Sequence, residues 1–292
     1  MKLSLPILIL SYALCMASGA LADSSCSTAE VTLQSIPRLA SAREQLDYAR
    51  EMKRSLRGLK GERREQVRKD VVEAYRAVRR NFPRELALSS EASFRAAEML
   101  RSGRQIDLAL AEFEHAVTLG ASTEFRPRAG LEIGHILRHR KQLNCALENY
   151  EAVEAMPAVY AAERELAAFW SGRVHLTLDR PIDASRCFKR AATSGVDPVQ
   201  RTRSFDAWCG VLLDKKDLEG AAGVLELCRK ALSEFAAEKT QLGTRVRGAL
   251  EVMKAPERLK RDIEARAKKD LVTPPPARFG RRLRSSSRWR NR

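Results

Sequence analysis

Residues 134–153 read GHILRHRKQLNCALENYEAV. Two small residues, Gly134 and Ala146, stand twelve positions apart. Leu137 follows the first by three, and Leu143 precedes the second by three. Tyr150 and Val153 then follow Ala146 by four and seven. Offsets of three and four put side chains on one face of a helix. The stretch therefore predicts two helices, each carrying a small residue where the other's backbone comes close. Tyr150 is expected to fill the groove beside that contact.

The same frame recurs on both sides. Its second half returns as Val71/Tyr75/Val78, Ala109/Phe113/Ala116, Ala184/Phe188/Ala191 and Ala221/Leu225/Cys228. Counting Ala146, successive starts lie 38, 37, 38 and 37 residues apart. The small residue twelve positions upstream returns as Ala97, Gly172 and Cys209. Chance spacings in a non-repeating bundle would not hold an upstream small residue in step four times. A period in this range predicts stacked helical hairpins. Sustained apolar alternation is nearly absent, so strands are not expected. The repeat residues themselves are core: Phe113→Ala is expected to cost ~3–5 kcal/mol, and Ala109→Leu ~1–3 kcal/mol by overpacking.

On the small pairs Ala97/Ala109, Gly134/Ala146, Gly172/Ala184 and Cys209/Ala221, and on Phe113, Tyr150 and Phe188, the chain resembles the tetratricopeptide repeat (TPR) family. Ala116, Ala191 and the repeat-end prolines Pro83, Pro157 and Pro198 fit as well. The resemblance spans roughly residues 62–234. It departs from the family in its period, which exceeds the usual ~34 residues and predicts longer inter-helix loops. Ser93 and Gly130 also stand where a larger residue is usual.

The resemblance implies an all-α fold, a right-handed superhelical stack of antiparallel helix pairs (a TPR-like solenoid). It also implies that the first helix of each pair lines a concave groove. Carried over position by position, the groove residues are Glu91, Phe94, Glu98 and Arg101 in the first full repeat. They are Arg128, His135, Arg138 and His139 in the second, and Phe169 and Arg173 in the third. Arg203 and Asp206 follow in the fourth. The middle of such a wall is basic with apolar patches, its ends carry some acid, and it suits a segment holding a carboxylate beside an apolar side chain. The alternative is that these are solvated helix positions that bind nothing. Phe94 and Glu98 replace the Lys and Asn of the family's clamp for a C-terminal carboxylate, so that clamp is not expected.

The ends carry separate signals. Residues 1–22 read as an export signal: Lys2, an apolar stretch from Leu3 to Leu14, and small residues at Ala20 and Ala22 before Asp23. Cleavage near Ala22 and a periplasmic or secreted location are expected, with retention as an anchor the alternative. Residues 23–37 form an irregular lead-in, and 38–87 N-terminal capping helices with a partial repeat. Arg50, Lys53, Arg54, Arg63, Arg64, Arg68, Arg79 and Arg80 are expected on the outer face of that cap. Four helix pairs occupy 88–234, closing helices 235–270, and a Pro/Arg-rich tail 271–292. One closing helix is expected over 234–254.

The net charge is +16, of which the tail holds +7 with no acid. Arg278, Arg281, Arg282, Arg284, Arg288, Trp289, Arg290 and Arg292 form a candidate polyanion site, expected to be disordered when free. Anionic lipid or cell-wall polymer are its expected ligands in an exported protein; RNA would replace them inside a cell.

Chemistry motifs are sparse. No phosphate-cradling Gly loop, nucleophile–His arrangement or zinc-type spacing stands out, so no cofactor, metal or catalysis is expected. His135 and His139 lie four apart, but Ile136 stands where a zinc-protease pattern needs Glu. If unperturbed, the pair would titrate near pH 6.5 and tighten the hold on an acidic partner in mild acid. Cys187, Cys209 and Cys228 fall on core positions, and a Cys187–Cys209 bridge is left open. The functional expectation is an exported, non-catalytic scaffold that holds an acidic protein segment in its groove. The alternative is an envelope- or polyanion-binding module acting through the Arg tail.

Overall fold

The computed structural model describes residues 36–272, save Ala121. Among them the chain is all-α. Twelve α-helices follow one another: α1 Ala42–Ser55, α2 Gly61–Asn81, α3 Leu86–Ser102, α4 Ile106–Leu119, α5 Phe125–His139 and α6 Leu143–Glu154. Then come α7 Ala161–Thr177, α8 Pro181–Ser194, α9 Pro198–Asp214, α10 Leu218–Ala237, α11 Gln241–Glu251 and α12 Ala255–Val272. A single 3-10 turn, Ala158–Tyr160, precedes α7. The export signal, most of the lead-in, Cys26 and the Arg tail lie outside the described residues. No described helix is long and apolar enough to cross a membrane.

Each helix packs on its neighbour in sequence, which makes five hairpins, α1/α2 to α9/α10, stacked side by side. Inside the hairpins the repeat residues do what the spacing requires. Tyr75, Phe113, Tyr150 and Phe188 are fully buried, as are Ala97, Cys209 and the alanines at 109, 146, 184 and 221. The small residues are needed for a steric reason. A Cβ at Gly134 would meet the Tyr150 ring at 2.4 Å, and one at Gly172 the Phe188 ring at 2.6 Å. So in these two hairpins the aromatic of the second helix presses on the bare backbone of the first.

The turn inside each full hairpin is three residues long and alike in all four. Its middle residue, Arg104, Lys141, Asp179 or Lys216, has a left-handed backbone (φ 55–64°). The next residue's N–H closes onto a carbonyl five back: Gln105 to Leu100, Gln142 to Leu137, Arg180 to His175 and Asp217 to Leu212. This is the Schellman closure of a helix C-terminus. The long period therefore does not come from these turns. It comes from first helices of 15–17 residues and from joins between hairpins such as 155–160.

Two expectations need correction. Residues 234–254 are not one helix: α10 runs on to Ala237 and α11 starts at Gln241. Thr240 caps the new helix by accepting from the Gly243 N–H at 3.1 Å, which offers the backbone a local alternative to continuing. Nor are all the arginines of α1 and α2 outward. Arg50 donates to Glu91 at 2.6 Å, and Arg76 and Arg79 both reach Glu112, which is 4% exposed. They tie the first hairpin to the second because buried carboxylates on α3 and α4 need a charged partner.

Candidate functional site: the first-helix face

Successive first helices also touch across hairpins: α1 with α3, α3 with α5, α5 with α7, and α7 with α9. Second helices from α2 to α10 make no comparably close approach to one another. The first-helix face is thus the more closely spaced side of the stack. Two cavities of about 580 Å³ open on it. One lies among α3, α5 and α7, the other among α7, α9 and α11. They share a wall on α7, where Phe169 and Trp170 meet edge-on at 5.6 Å.

The first cavity is organised around Trp170. The Arg138 guanidinium lies over its ring, 4.6 Å from the centroid. Arg138 also donates to His139 Nε2 at 3.3 Å, while its buried Nε has no hydrogen-bond partner. Stacking uses the face of a guanidinium and leaves its in-plane donors for a carboxylate. His135 touches Trp170 edge-on at 5.0 Å, and its Nδ1 is 2.7 Å from the Tyr150 hydroxyl. Burial, reinforced by the positive charge of Arg138, pushes the His135 imidazole down to about pKa 4. His135 therefore stays neutral in mild acid and does not meet the condition on which the expected pH-tightened grip of the pair rests. Burial pushes the Glu132 carboxyl up from its ordinary value, opposed by Arg101, with which it pairs.

The second cavity has an apolar floor of Phe169, Val199 and Met253, and a rim of Arg173, Arg203 and Arg245. Its one acid, Asp206, is already engaged. Its Oδ1 accepts from the backbone N–H of Lys254 at 3.0 Å and Ala255 at 2.9 Å, which fixes the start of α12. Among the described residues no carboxylate lies within ion-pair distance of Arg138, Arg173, Arg203 or Arg245. The first helices α1 and α3 differ, since Arg43, Arg50, Arg54, Arg95 and Arg101 are all paired there.

The residues anticipated for the groove divide accordingly. Arg101, His135, Arg138 and His139 line the first cavity, and Phe169 and Arg173 the second. Arg128 lies outside both and pairs with Glu124 at 2.9 Å and Glu163 at 3.5 Å. Phe94 does not face the groove. It is 5% exposed and packs on Phe113 and on Phe125 of the next hairpin, at 5.5 and 5.6 Å. The close approach of α3 to α5 turns that position into core. Trp170 and Arg245 were missed. A Trp beside Phe169 was visible in the sequence, but nothing there indicated that α11 folds back onto this face.

The described cysteines are free. Cys187 lies beside Arg190 at 3.4 Å, whereas the Cys209 thiol donates to the Ala221 carbonyl within its own hairpin. Burial pushes Cys187, Cys209 and Cys228 up to about pKa 11, so these thiols behave as small apolar groups.

No family model and no curated protein matches the chain. Several solved structures are similar to it. Pseudomonas aeruginosa pilF is 13% identical over 80% of this chain and 95% of that one, with a TM-score of 0.48. The MamA protein is 13% identical over 68% and 97%, with a TM-score of 0.47. The nearly identical TPR-like repeats of a Podosopora anserina kinesin light chain are 14% identical over 67% and 97%, with a TM-score of 0.43.

Proposed function

We propose that this chain is a non-catalytic scaffold that holds an acidic segment of another protein on its first-helix face. One observation carries the reading: Arg138, Arg173, Arg203 and Arg245 lie along α5, α7, α9 and α11, next to apolar floors, with no described carboxylate within ion-pair distance. A chain that pairs the arginines of its first helices α1 and α3 but not these leaves donors for a carboxylate from outside. Arginine grips a carboxylate through two parallel N–H bonds, and the flanking apolar surface contributes when the partner's side chains cover it.

The test compares the full chain with an Arg138→Glu/Arg173→Glu/Arg203→Glu variant. Partners captured in the protein's own compartment are identified by mass. The reading expects a specific acidic partner to be lost with the variant while helicity is unchanged. Retention of every partner would sink it. The export signal read in residues 1–22 places this work outside the cytoplasm as part of the proposal. A mature N-terminus at Asp23 is its check.

The second reading, polyanion binding through residues 278–292, is favoured by the seven arginines and Trp289 in a stretch without acid. It predicts that deleting 277–292 abolishes salt-sensitive binding to anionic liposomes. Undiminished binding by the truncated chain rules the tail out.

A further inference from the structure

The two cavities are not independent. They open on either side of one ridge, the consecutive Phe169 and Trp170 of α7, and each presents guanidinium groups to it. In the first cavity only Arg138 is without an acid, since Arg101 pairs with Glu132 and Arg140 with Asp107. Its guanidinium is held in place on the Trp170 ring. In the second cavity Arg173, Arg203 and Arg245 converge from three helices over apolar residues. An occupant that satisfies both must therefore carry two anions and cross the ridge between them. Neighbouring packed helices lie ~8–10 Å apart, and an extended chain advances ~3.3 Å per residue. The Arg138 guanidinium already reaches α7, where it lies on Trp170, and Arg203 stands on α9, so the two anion sites are one helix step apart, about three residues.

Building on the groove reading above, we propose that the partner segment is an extended acid-x-x-acid stretch with an apolar residue between the two acids. The first carboxylate bonds Arg138. The apolar residue rests on the Phe169–Trp170 ridge. The second carboxylate enters the rim of Arg173, Arg203 and Arg245. A spacing of one residue leaves the second acid on the ridge, and a spacing of six forces the intervening chain to loop at an entropic cost. The preference is therefore for spacing, not for total charge. Charge alone would also attract a polyanionic surface, but a surface of fixed charge density has no reason to select one interval.

The experiment uses the full chain and dye-labelled ten-residue Gly/Ser peptides carrying two Glu at separations of one to six, with one Leu between them where it fits. Fluorescence anisotropy gives the affinities. The proposal expects a maximum at separation three, about tenfold over separations one and six, from engaging both anions on one chain. Arg138→Ala should flatten the series to the level of a single-Glu peptide. Affinity equal at all separations and lost in Arg173→Ala/Arg203→Ala overturns the spacing inference while leaving the groove reading standing. Affinity untouched by either variant overturns both. Absence of binding by every peptide also overturns the inference. Circular dichroism checks the fold; Arg173 and Arg203 are exposed and Arg138 is half-buried.

Discussion

At the scale of single residues the hairpins depend on where a side chain is missing. Gly134 is helical and buried, and its Cβ would enter the Tyr150 ring. Gly134→Ala is therefore expected to destabilise by ~1–3 kcal/mol through overpacking, although alanine is the better helix former. Gly210, on α9, meets nothing within 4 Å. Gly210→Ala should stabilise by ~0.5–1 kcal/mol through helix propensity alone. Urea unfolding of the two variants gives opposite signs if the account is right. His135 supplies a second residue-level prediction. Its folded pKa, about 4, lies below the ordinary 6.5, so the unfolded chain binds the proton first. Its neutral form favours folding fully above pH 6.5, and that contribution falls as pH drops from 6.5 toward 4. The loss should reach ~1–3 kcal/mol, and His135→Gln should remove that part of the pH dependence. An identical slope in both proteins contradicts the burial of His135.

At the scale of helices and turns, much was legible. Small residues twelve apart with an aromatic four further on fixed the pairing of α3/α4, α5/α6 and α7/α8, because each feature lies within one hairpin. What could not be read were contacts between hairpins. Arg50 and Glu91 are 41 positions apart, and Arg76 and Glu112 are 36 apart. Nothing local distinguishes such arginines from solvated ones. The same limit hid the burial of Phe94, which depends on Phe125 of the following hairpin. It also hid Arg245, which reaches the groove only because the chain breaks before Thr240. The inter-hairpin ties give a prediction: Glu112→Gln should cost ~1.5–3 kcal/mol, the range for hydrogen bonds to charged groups. Thermal unfolding of the single variant and of an Arg76→Ala/Arg79→Ala background tests it. The loss should be much smaller in that background. The turns give another. Lys141 occupies a left-handed conformation at φ 64°. Lys141→Gly removes that strain at some cost in unfolded-state entropy, for a net gain of ~0.5–1 kcal/mol. No gain in melting temperature would argue against the Schellman turn.

At the scale of the whole molecule, the described stack has one more closely spaced face, and the unpaired arginines gather on its later half. Most of that face was foreseeable from the resemblance, position by position. Its chemistry was not, because whether an arginine is available depends on which acids the fold brings to it. The most direct measurement is site-specific photo-crosslinking of the full chain in its own compartment. One crosslinker replaces Arg203 on the first-helix face, and another replaces Arg229, an exposed residue of α10. The account predicts one discrete adduct from position 203, mapping to an acidic segment of a partner protein, and none from position 229. The same adduct from both positions, or a partner captured only at 229, would contradict it.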